Sequence, residues 1–290
     1  MTISETDEAI GKLLTAGESS AEQFETLIPS IVAGKREAIT GGDEAVAKRF
    51  WAYEQVAKLH MHWAKLFCLL KDERFYDAWR SLEKCELIIR FLAPHLAVIG
   101  GDRFGVAWIQ KAIERFQSLY PYALFFSPAI VELEKICSIC RARISARVRC
   151  DHEVGEIYGG EMCSRIVTKG EVLEISLVEQ PVQKYSVPFL TDEKTGKSRD
   201  HYDYAVIKYA VSALPDRFTS WQVKRTTKRY PIARFSECNL QSRCPCGSGK
   251  TFQECCSGKA EIEMPHLQFV FALEPENVPP EALFLDGRRS

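Results

Sequence analysis

Apolar residues recur at helical spacing along the first part of the chain. After Asp43, whose carboxylate is a good helix N-cap, apolar positions are separated by three, four or seven residues as far as Leu70. The positions on this face are Val46, Phe50, Tyr53, Ala57, Ala64 and Phe67. The pattern predicts one long helix with an apolar side.

More helices are predicted on either side of this one. Residues 21–39 follow a candidate cap at Ser19 or Ser20, and Pro29 is expected to kink or divide that helix. Further helical patterns lie at residues 75–92 and 103–120. Four or more helices with short connections predict a bundle-like module over residues 1–136.

Period-two patterns appear beyond Cys137. Residues 171–179 alternate Leu173, Ile175 and Leu177 with polar neighbours, which predicts a strand with one buried face. Shorter extended patterns lie at residues 185–190, 220–226 and 267–273, and a helical pattern lies at residues 203–214. The expected fold class is therefore α+β, with a helical N-terminal module.

Composition and the first residues narrow the class of protein. The 290 residues are 46% hydrophobic and 27% charged, with a net charge of -1, which excludes a disordered chain or a fibre. No apolar run approaches the ~20 residues of a membrane span. Glu5, Asp7 and Glu8 stand where a signal peptide is basic and then apolar. We therefore expect a cytoplasmic protein that does not contact a membrane.

Eleven cysteines need an explanation in a reducing compartment, where disulfides rarely persist. Eight of them form two short windows, and Cys68, Cys85 and Cys238 lie outside. The windows contain Cys137, Cys140, Cys150 and Cys163, and then Cys244, Cys246, Cys255 and Cys256. Such clustering favours metal ligation, and four thiolate or imidazole ligands are typical of structural zinc. We expect two zinc ions per chain.

The second window reads CPCGSGKTFQECC over residues 244–256. It resembles the SEC-C motif, the zinc-binding tail of the bacterial protein-export ATPase. The resemblance implies a bacterial protein with one zinc on Cys244, Cys246, Cys255 and Cys256. It also implies a protein partner, the export chaperone or the ribosome. Lysines common in that family are replaced here by Thr251, Gln253 and Glu254, which leaves Arg243, Lys250 and Lys259 as nearby cations.

The first window offers five candidate ligands for four places. Cys137 and Cys140 have the CxxC spacing in which two thiolates face one metal, and Cys150, His152 and Cys163 follow. Either His152 or Cys150 is expected as the third ligand and Cys163 as the fourth, so one of the five is a bystander that spacing does not identify. A thioredoxin-like redox pair needs a βαβ context, which the helical pattern before Cys137 does not supply. A second structural zinc site is the expectation.

A basic stretch between residues 217 and 234 contains no acid. Its cations and aromatic residues are suited to phosphate contacts and base stacking. The candidate contacts are Arg217, Trp221, Lys224, Arg225, Lys228, Arg229, Tyr230 and Arg234. A solvated strand and loop is the alternative explanation of the stretch.

The predicted organisation has four segments. They are a helical module at 1–136, a zinc-containing α+β domain at 137–240, a SEC-C zinc module at 241–262, and a strand with a C-terminal tail at 263–290. In two zinc sites with four protein ligands each, no position is open for water or substrate, which favours a non-catalytic adaptor protein. An RNA-, DNA- or ribosome-binding protein that uses residues 217–234 is the first alternative, and an unrecognised hydrolase or nuclease is the second.

Overall fold

The computed structural model describes residues 1–15 and 20–272. The candidate cap Ser19 and the C-terminal tail from residue 273 lie outside the described residues. The chain divides into two compact units. One consists of Met1–Glu114 and Leu124–Pro188, and the other of Arg115–Ala123 and Phe189–Ser290. The predicted segment boundaries lie elsewhere, at residues 136, 240 and 262, and they stay a prediction.

The first part of the chain is helical. Its helices are α1 (Ile3–Thr15), α2 (Ala21–Thr40), α3 (Glu44–Lys71), α4 (Phe75–Leu92), a 3-10 helix (Ala93–Ile99) and α5 (Val106–Gln117). Helix α3 is central, since it packs on α1, α2 and α4. The Asp43 carboxylate accepts the Val46 N–H at 3.0 Å, which confirms the predicted cap. Tyr53, Trp63 and Leu66 of α3 are fully buried in the core.

Two details differ from the sequence expectations. Pro29 lies inside α2 without dividing it. A proline in a helix cannot donate an N–H to the carbonyl four residues earlier. Because Pro29 is exposed, water can hydrogen-bond to that carbonyl instead. Helix α1 was not predicted, although Thr2 and Glu5 mark its start: Thr2 N–H donates to the Glu5 carboxylate at 2.7 Å and Glu5 N–H to the Thr2 hydroxyl at 3.2 Å.

A long antiparallel ribbon follows within the first unit. It joins β1 (Phe125–Cys137) to β5 (Arg165–Val178), and β2 (Arg143–Ile144) pairs with the end of β1. Strand β1 occupies residues that the sequence assigned to the helical module. At residues 171–179 the predicted strand is present, but the expected burial is wrong. Leu173, Ile175 and Leu177 are exposed, because no described residue covers that side of the ribbon.

A cysteine-bearing loop connects β1 to β5 and contains the short pair β3 (Ile157–Tyr158) and β4 (Glu161–Met162). This loop is fixed to the helices by polar contacts. Gly159 N–H donates to the Glu44 carboxylate at 2.6 Å, and His95 Nε2 bonds the Gly155 carbonyl at 2.8 Å. The helical core therefore positions the loop.

The second unit is built on another ribbon. Strands β8 (Trp221–Pro231) and β9 (Glu261–Phe271) pair antiparallel over their whole length. Before them come β6 (Leu190–Thr191), β7 (Ser198–Arg199) and α6 (Ala205–Ser212); between them lie a 3-10 helix (Ile232–Phe235) and α7 (Phe252–Cys255). The predicted helix at 203–214 and strand at 220–226 are confirmed, and the strand predicted at 267–273 is present as far as Phe271, with residue 273 outside the described residues. Residues 185–189 form no strand.

Helices and antiparallel sheets together confirm the α+β fold class. Within residues 1–15 and 20–272, every helix falls short of the length and apolarity that a bilayer span requires.

Candidate metal centres

Residues 242–258 connect the two strands of the β8–β9 ribbon with a compact turn and a short helix. A small bridge pairs Arg243 with Thr251, and the Cys244 N–H donates to the Lys250 carbonyl at 2.8 Å. The chain reverses through Gly247 and Gly249, both at φ +77°, a conformation that side chains with a Cβ rarely adopt. The turn therefore presents the Cys244 and Cys246 thiols on one side.

Helix α7 supplies the other two thiols of this cluster. Thr251 caps the helix, because its hydroxyl accepts the Glu254 N–H at 3.3 Å. Cys255 is the last helical residue and Cys256 is the C-cap. The single helical turn thus brings two adjacent cysteines back to the Cys244–Cys246 turn.

The four sulfur atoms of this cluster all lie within 4.8 Å of one another. Cys246 and Cys255 are 3.5 Å apart, and Cys255 and Cys256 are 3.6 Å apart, measured between Sγ atoms. None of the eleven cysteines forms a disulfide, whose S–S length is ~2.0 Å. A zinc–sulfur distance of ~2.3 Å in a tetrahedron places sulfurs ~3.8 Å apart. The cluster has the size of a four-thiolate metal site.

A small hydrophobic core holds the cluster in place. Cys244 and Cys256 are buried in it, and Cys246 and Cys255 pack against it. Its remaining members come from the ribbon and the segment that follows: Tyr230, Phe235, Phe252, Ile262 and Met264. The aromatic residue of the motif, Phe252, therefore packs the metal-binding turn onto the ribbon.

Electrostatics at the cluster favour a bound cation. Burial opposes ionisation of Cys246, but hydrogen bonds from the Ser248 hydroxyl and backbone and from neighbouring thiols lower its pKa to about 6. Burial raises the pKa of Cys244, and burial together with neighbouring thiols raises that of Cys256. Four crowded thiols cannot all ionise together unless a metal ion supplies positive charge.

Comparison with known proteins bears on this cluster. The family model of the SEC-C motif matches residues 242–258. The chain carries a SEC-C motif. The match covers the metal-binding turn and α7. No curated protein and no solved structure matches the chain.

A second cluster lies in the loop between β1 and β5 of the first unit. It joins Cys137, Cys140, Cys150 and His152, whose ligand atoms all lie within 4.8 Å of one another. The loop turns tightly after β1: Arg141 N–H donates to the Cys137 carbonyl at 3.0 Å. This group differs from the expected ligand set, because it contains both Cys150 and His152, which were alternatives, and leaves out Cys163, the expected fourth ligand.

Hydrogen bonds prepare Cys137 for metal binding. Burial opposes its ionisation, but the backbone N–H groups of Cys140 and Ile139 and the thiols of Cys150 and Cys140 outweigh burial and lower its pKa to about 6. Thiolates are the form of cysteine that binds metal. The turn formed by the CxxC segment therefore directs backbone N–H groups towards the Cys137 sulfur.

His152 and Cys163 differ in what they contact. His152 Nδ1 is buried and has no hydrogen-bond partner among the described residues, which fits an atom that coordinates a metal. The Cys163 sulfur lies 3.9 Å from that of Cys137 but receives a hydrogen bond from the Arg165 guanidinium at 3.3 Å. The same guanidinium bonds the His152 carbonyl at 2.8 Å. Cys163 and Arg165 therefore contact the four-residue group without belonging to it.

Sequence reasoning missed the ion pairs that anchor this loop. The Lys35 ammonium of α2 contacts the carboxylates of Glu54 at 2.8 Å and of Glu161 at 2.7 Å. The side chains of Lys35 and Glu54 are each 7% exposed. Burial alone would lower the pKa of Lys35, but both hydrogen bonds raise it. The available signal was the position of Lys35 four residues after Ile31, on the apolar side of the predicted helix.

The basic stretch at 217–234 does not form a single surface. Alternation along β8 places Lys224 and Lys228 on one face of the ribbon and Arg225 and Arg229 on the other. Trp221 and Tyr230 are only 2% and 4% exposed, so their rings offer little surface for the expected stacking on bases.

Both aromatic rings of β8 pack inside the second unit. Trp221 packs on Phe116 and Phe269, and Tyr230 belongs to the small core of the SEC-C region. Arg217 lies over Phe218, and Arg234 over Tyr230. Nucleic-acid binding stays a prediction without a shared face for its proposed contacts, and the hydrolase or nuclease alternative stays one too.

Proposed function

We propose that this chain is a zinc-binding adaptor protein in which two structural zinc ions shape the regions that carry them. The observation that carries the proposal is the SEC-C cluster, in which four thiol sulfurs converge within 4.8 Å at a matched motif. Cys244, Cys246, Cys255 and Cys256 bind one ion. Cys137, Cys140, Cys150 and His152 bind the other, with Cys163 outside the ligand set.

The ligand count supports a structural role for both ions. Each cluster supplies four protein ligands, the number that saturates tetrahedral zinc. Catalytic zinc keeps one position for water or substrate. In this proposal each ion stabilises its turn, and binding of a partner does not involve chemistry at the metal.

The proposed partner is a protein with an acidic surface. Arg243, Lys250 and Lys259 are exposed around the SEC-C cluster. Four thiolates on one Zn²⁺ carry a charge near -2. The three cations around the site can offset part of that charge. The resemblance to the export ATPase tail makes the export chaperone the first partner to test and the ribosome the second.

Elemental analysis tests the metal part of the proposal. The purified full chain should contain two zinc ions, and Cys255→Ser should contain one, because loss of a thiolate removes binding energy on the order of 10 kcal/mol in peptide models. Cys68→Ser is the matched control, since Cys68 is exposed on α3 and belongs to neither cluster. A ratio of zero in the wild type, or equal zinc in both variants, overturns the assignment.

Binding to purified chaperone tests the partner part. Lys250→Glu should weaken binding without loss of zinc, while Lys194→Glu, also exposed in the second unit, should not. If neither the chaperone nor the ribosome binds the zinc-loaded chain, the partner proposal is wrong and the metal proposal is unaffected.

A further inference from the structure

The middle of the β1–β5 ribbon has one face made of apolar side chains. Residues that are directly opposite in an antiparallel pair share a face. The register pairs Phe126 with Leu177, Pro128 with Ile175 and Ile130 with Val172, and a bulge adds Leu173. These seven residues, here called the ribbon face, contain no charged or hydrogen-bonding side chain: Phe126, Pro128, Ile130, Val172, Leu173, Ile175 and Leu177.

The ribbon face is open along its length. Its side chains, Pro128 apart, are between 42% and 67% exposed, and Pro128 is exposed as well. The opposite face is different in character, since Ala129 pairs with Glu174 and Val131 with Glu171. One face is therefore suited to water and the other to burial, as in a sheet that packs on a second layer.

Both ends of the ribbon are fixed, so the open face is held in shape. At one end Phe125 is buried and stacks on Trp79 of α4 with ring centroids 6.1 Å apart. At the other end Cys137 belongs to the metal cluster and is buried. An apolar surface held at both ends is ready to bind without the entropy loss of ordering a loose segment.

The area of the ribbon face is large for a surface left in water. A large apolar side chain has about 150–200 Å² of surface, so six of them at these exposures present roughly 600 Å². The largest apolar patch on a typical monomer has about 300–600 Å² and is often functional. The ribbon face therefore has the size of a docking surface.

We propose that the ribbon face is the contact between two copies of this chain. Contact of two such faces buries roughly 1,200 Å² in total, the lower end of the range for specific protein interfaces. Transient interfaces between different proteins are about as polar as ordinary protein surface, whereas homodimer interfaces are more apolar. A face without any polar side chain matches the second class.

Two-fold symmetry makes the pairing self-complementary. Each ribbon face covers the other, as two sheets pack about 10 Å apart. Glu171 and Glu174 then stay on the outer, hydrated sides of both ribbons. The metal clusters take no part in the contact, so the proposal is independent of the proposed function.

Sedimentation equilibrium of the zinc-loaded full chain tests the proposal. The wild type should be a dimer at micromolar concentration. Ile175→Lys should raise the dimer dissociation constant at least ~100-fold, because a two-fold contact buries the new charge twice. Ala129→Lys is the matched control: it adds the same charge on the opposite face, beside Glu174, and should leave the dimer intact.

Circular dichroism and zinc content should be equal in the wild type and both variants, since both positions are exposed. A wild type that stays monomeric at every concentration overturns the proposal, including one that instead binds a different protein through this face. A dimer that Ile175→Lys leaves unchanged, or that Ala129→Lys disrupts equally, overturns it too.

Discussion

At the scale of single residues, the ligand set of the cluster in the β1–β5 loop depends on how His152 and Cys163 differ. Both are within reach of Cys137 along the chain, and spacing does not separate them. Their surroundings do, because His152 Nδ1 is a buried atom without a partner in the described part of the chain, while Cys163 Sγ accepts from Arg165. A ligand atom must be free to bind metal, and this difference supports the proposed ligand set, in which His152 binds and Cys163 does not.

Substitution of each residue distinguishes the two roles. His152→Ala should reduce the zinc content from two ions to one, because three thiolates leave the tetrahedron incomplete. Cys163→Ser should keep two ions and lose only a sulfur contact with Arg165. Elemental analysis after dialysis against a weak chelator measures both. The reverse pattern, with zinc lost from Cys163→Ser alone, would make Cys163 the ligand.

His62 gives the helical unit a predictable response to acid. Burial, followed by the charges of Lys84, Lys65 and Lys58, lowers the pKa of His62 from 6.5 to about 4. The unfolded chain therefore binds this proton first as the pH falls. Stability that is fully present above pH 6.5 is lost between pH 6.5 and about 4.

The free energy of unfolding against pH checks this effect. In His62→Gln the loss of stability over that window should be smaller than in the wild type. Acid also protonates the zinc thiolates in both proteins, so the difference between the two curves is the informative quantity. Identical curves would mean that His62 is not kept neutral by its surroundings.

At the scale of elements, the local patterns could be predicted and their surroundings could not. Helix α3 was expected from Asp43 to Leu70 and runs over Glu44–Lys71, because a cap and a 3.6-residue period are properties of the segment itself. For residues 171–179 the strand was predicted correctly but its burial was not. Alternation shows which side chains share a face, and only the fold shows whether anything covers that face.

Contacts between segments that are distant in sequence could not be predicted from the sequence patterns. Glu44 meets Gly159 and Lys35 meets Glu161, although more than 100 residues separate each pair. The two clusters were within reach, since their ligands lie in short windows whose spacing is set by metal geometry. For the basic stretch, closeness in sequence was misleading, because a run of cations along a strand is divided between its two faces.

Removal of one partner of the buried ion pair between α2 and α3 should strongly destabilise the protein. Lys35→Met leaves Glu54 buried with Lys58 as its remaining cation, and leaves Glu161 without its contact. Removal of one partner of a buried pair costs about 3 kcal/mol or more of unfolding free energy. Urea denaturation of the zinc-loaded protein measures this cost.

Lys12→Met is the matched control for that substitution. Its pair with Glu8 lies on α1 and is mostly exposed, so its loss should cost about 0.5 kcal/mol or less. Addition of Glu54→Gln to Lys35→Met should recover part of the loss, because no buried charge then remains unpaired. Equal effects of the two lysine substitutions would contradict the burial of this network.

At the scale of the whole molecule, the two metal clusters relate differently to the cores near them. The helical core of the first unit is apolar and contains large buried side chains such as Phe24, Trp63 and Leu82. Its cluster lies in a loop that polar contacts hold to the helices. In the second unit, Cys244 and Cys256 are themselves members of the small core with Phe252. We therefore expect a bound metal ion to contribute more to local stability in the SEC-C region than in the β1–β5 loop.

Removal of metal should consequently unfold parts of the chain and spare the helices. With a strong chelator, amide hydrogen exchange should accelerate most at residues 242–258, where the core is built around the ligands, and next at residues 138–164. Exchange in α2, α3 and α4 should change little, and the helical circular dichroism signal should persist. Mass spectrometry of exchanged peptides resolves these regions, and addition of zinc should restore the protection. If the chelator instead unfolds α3 together with both clusters, the helical core depends on zinc and the apolar packing described here is not enough to sustain it.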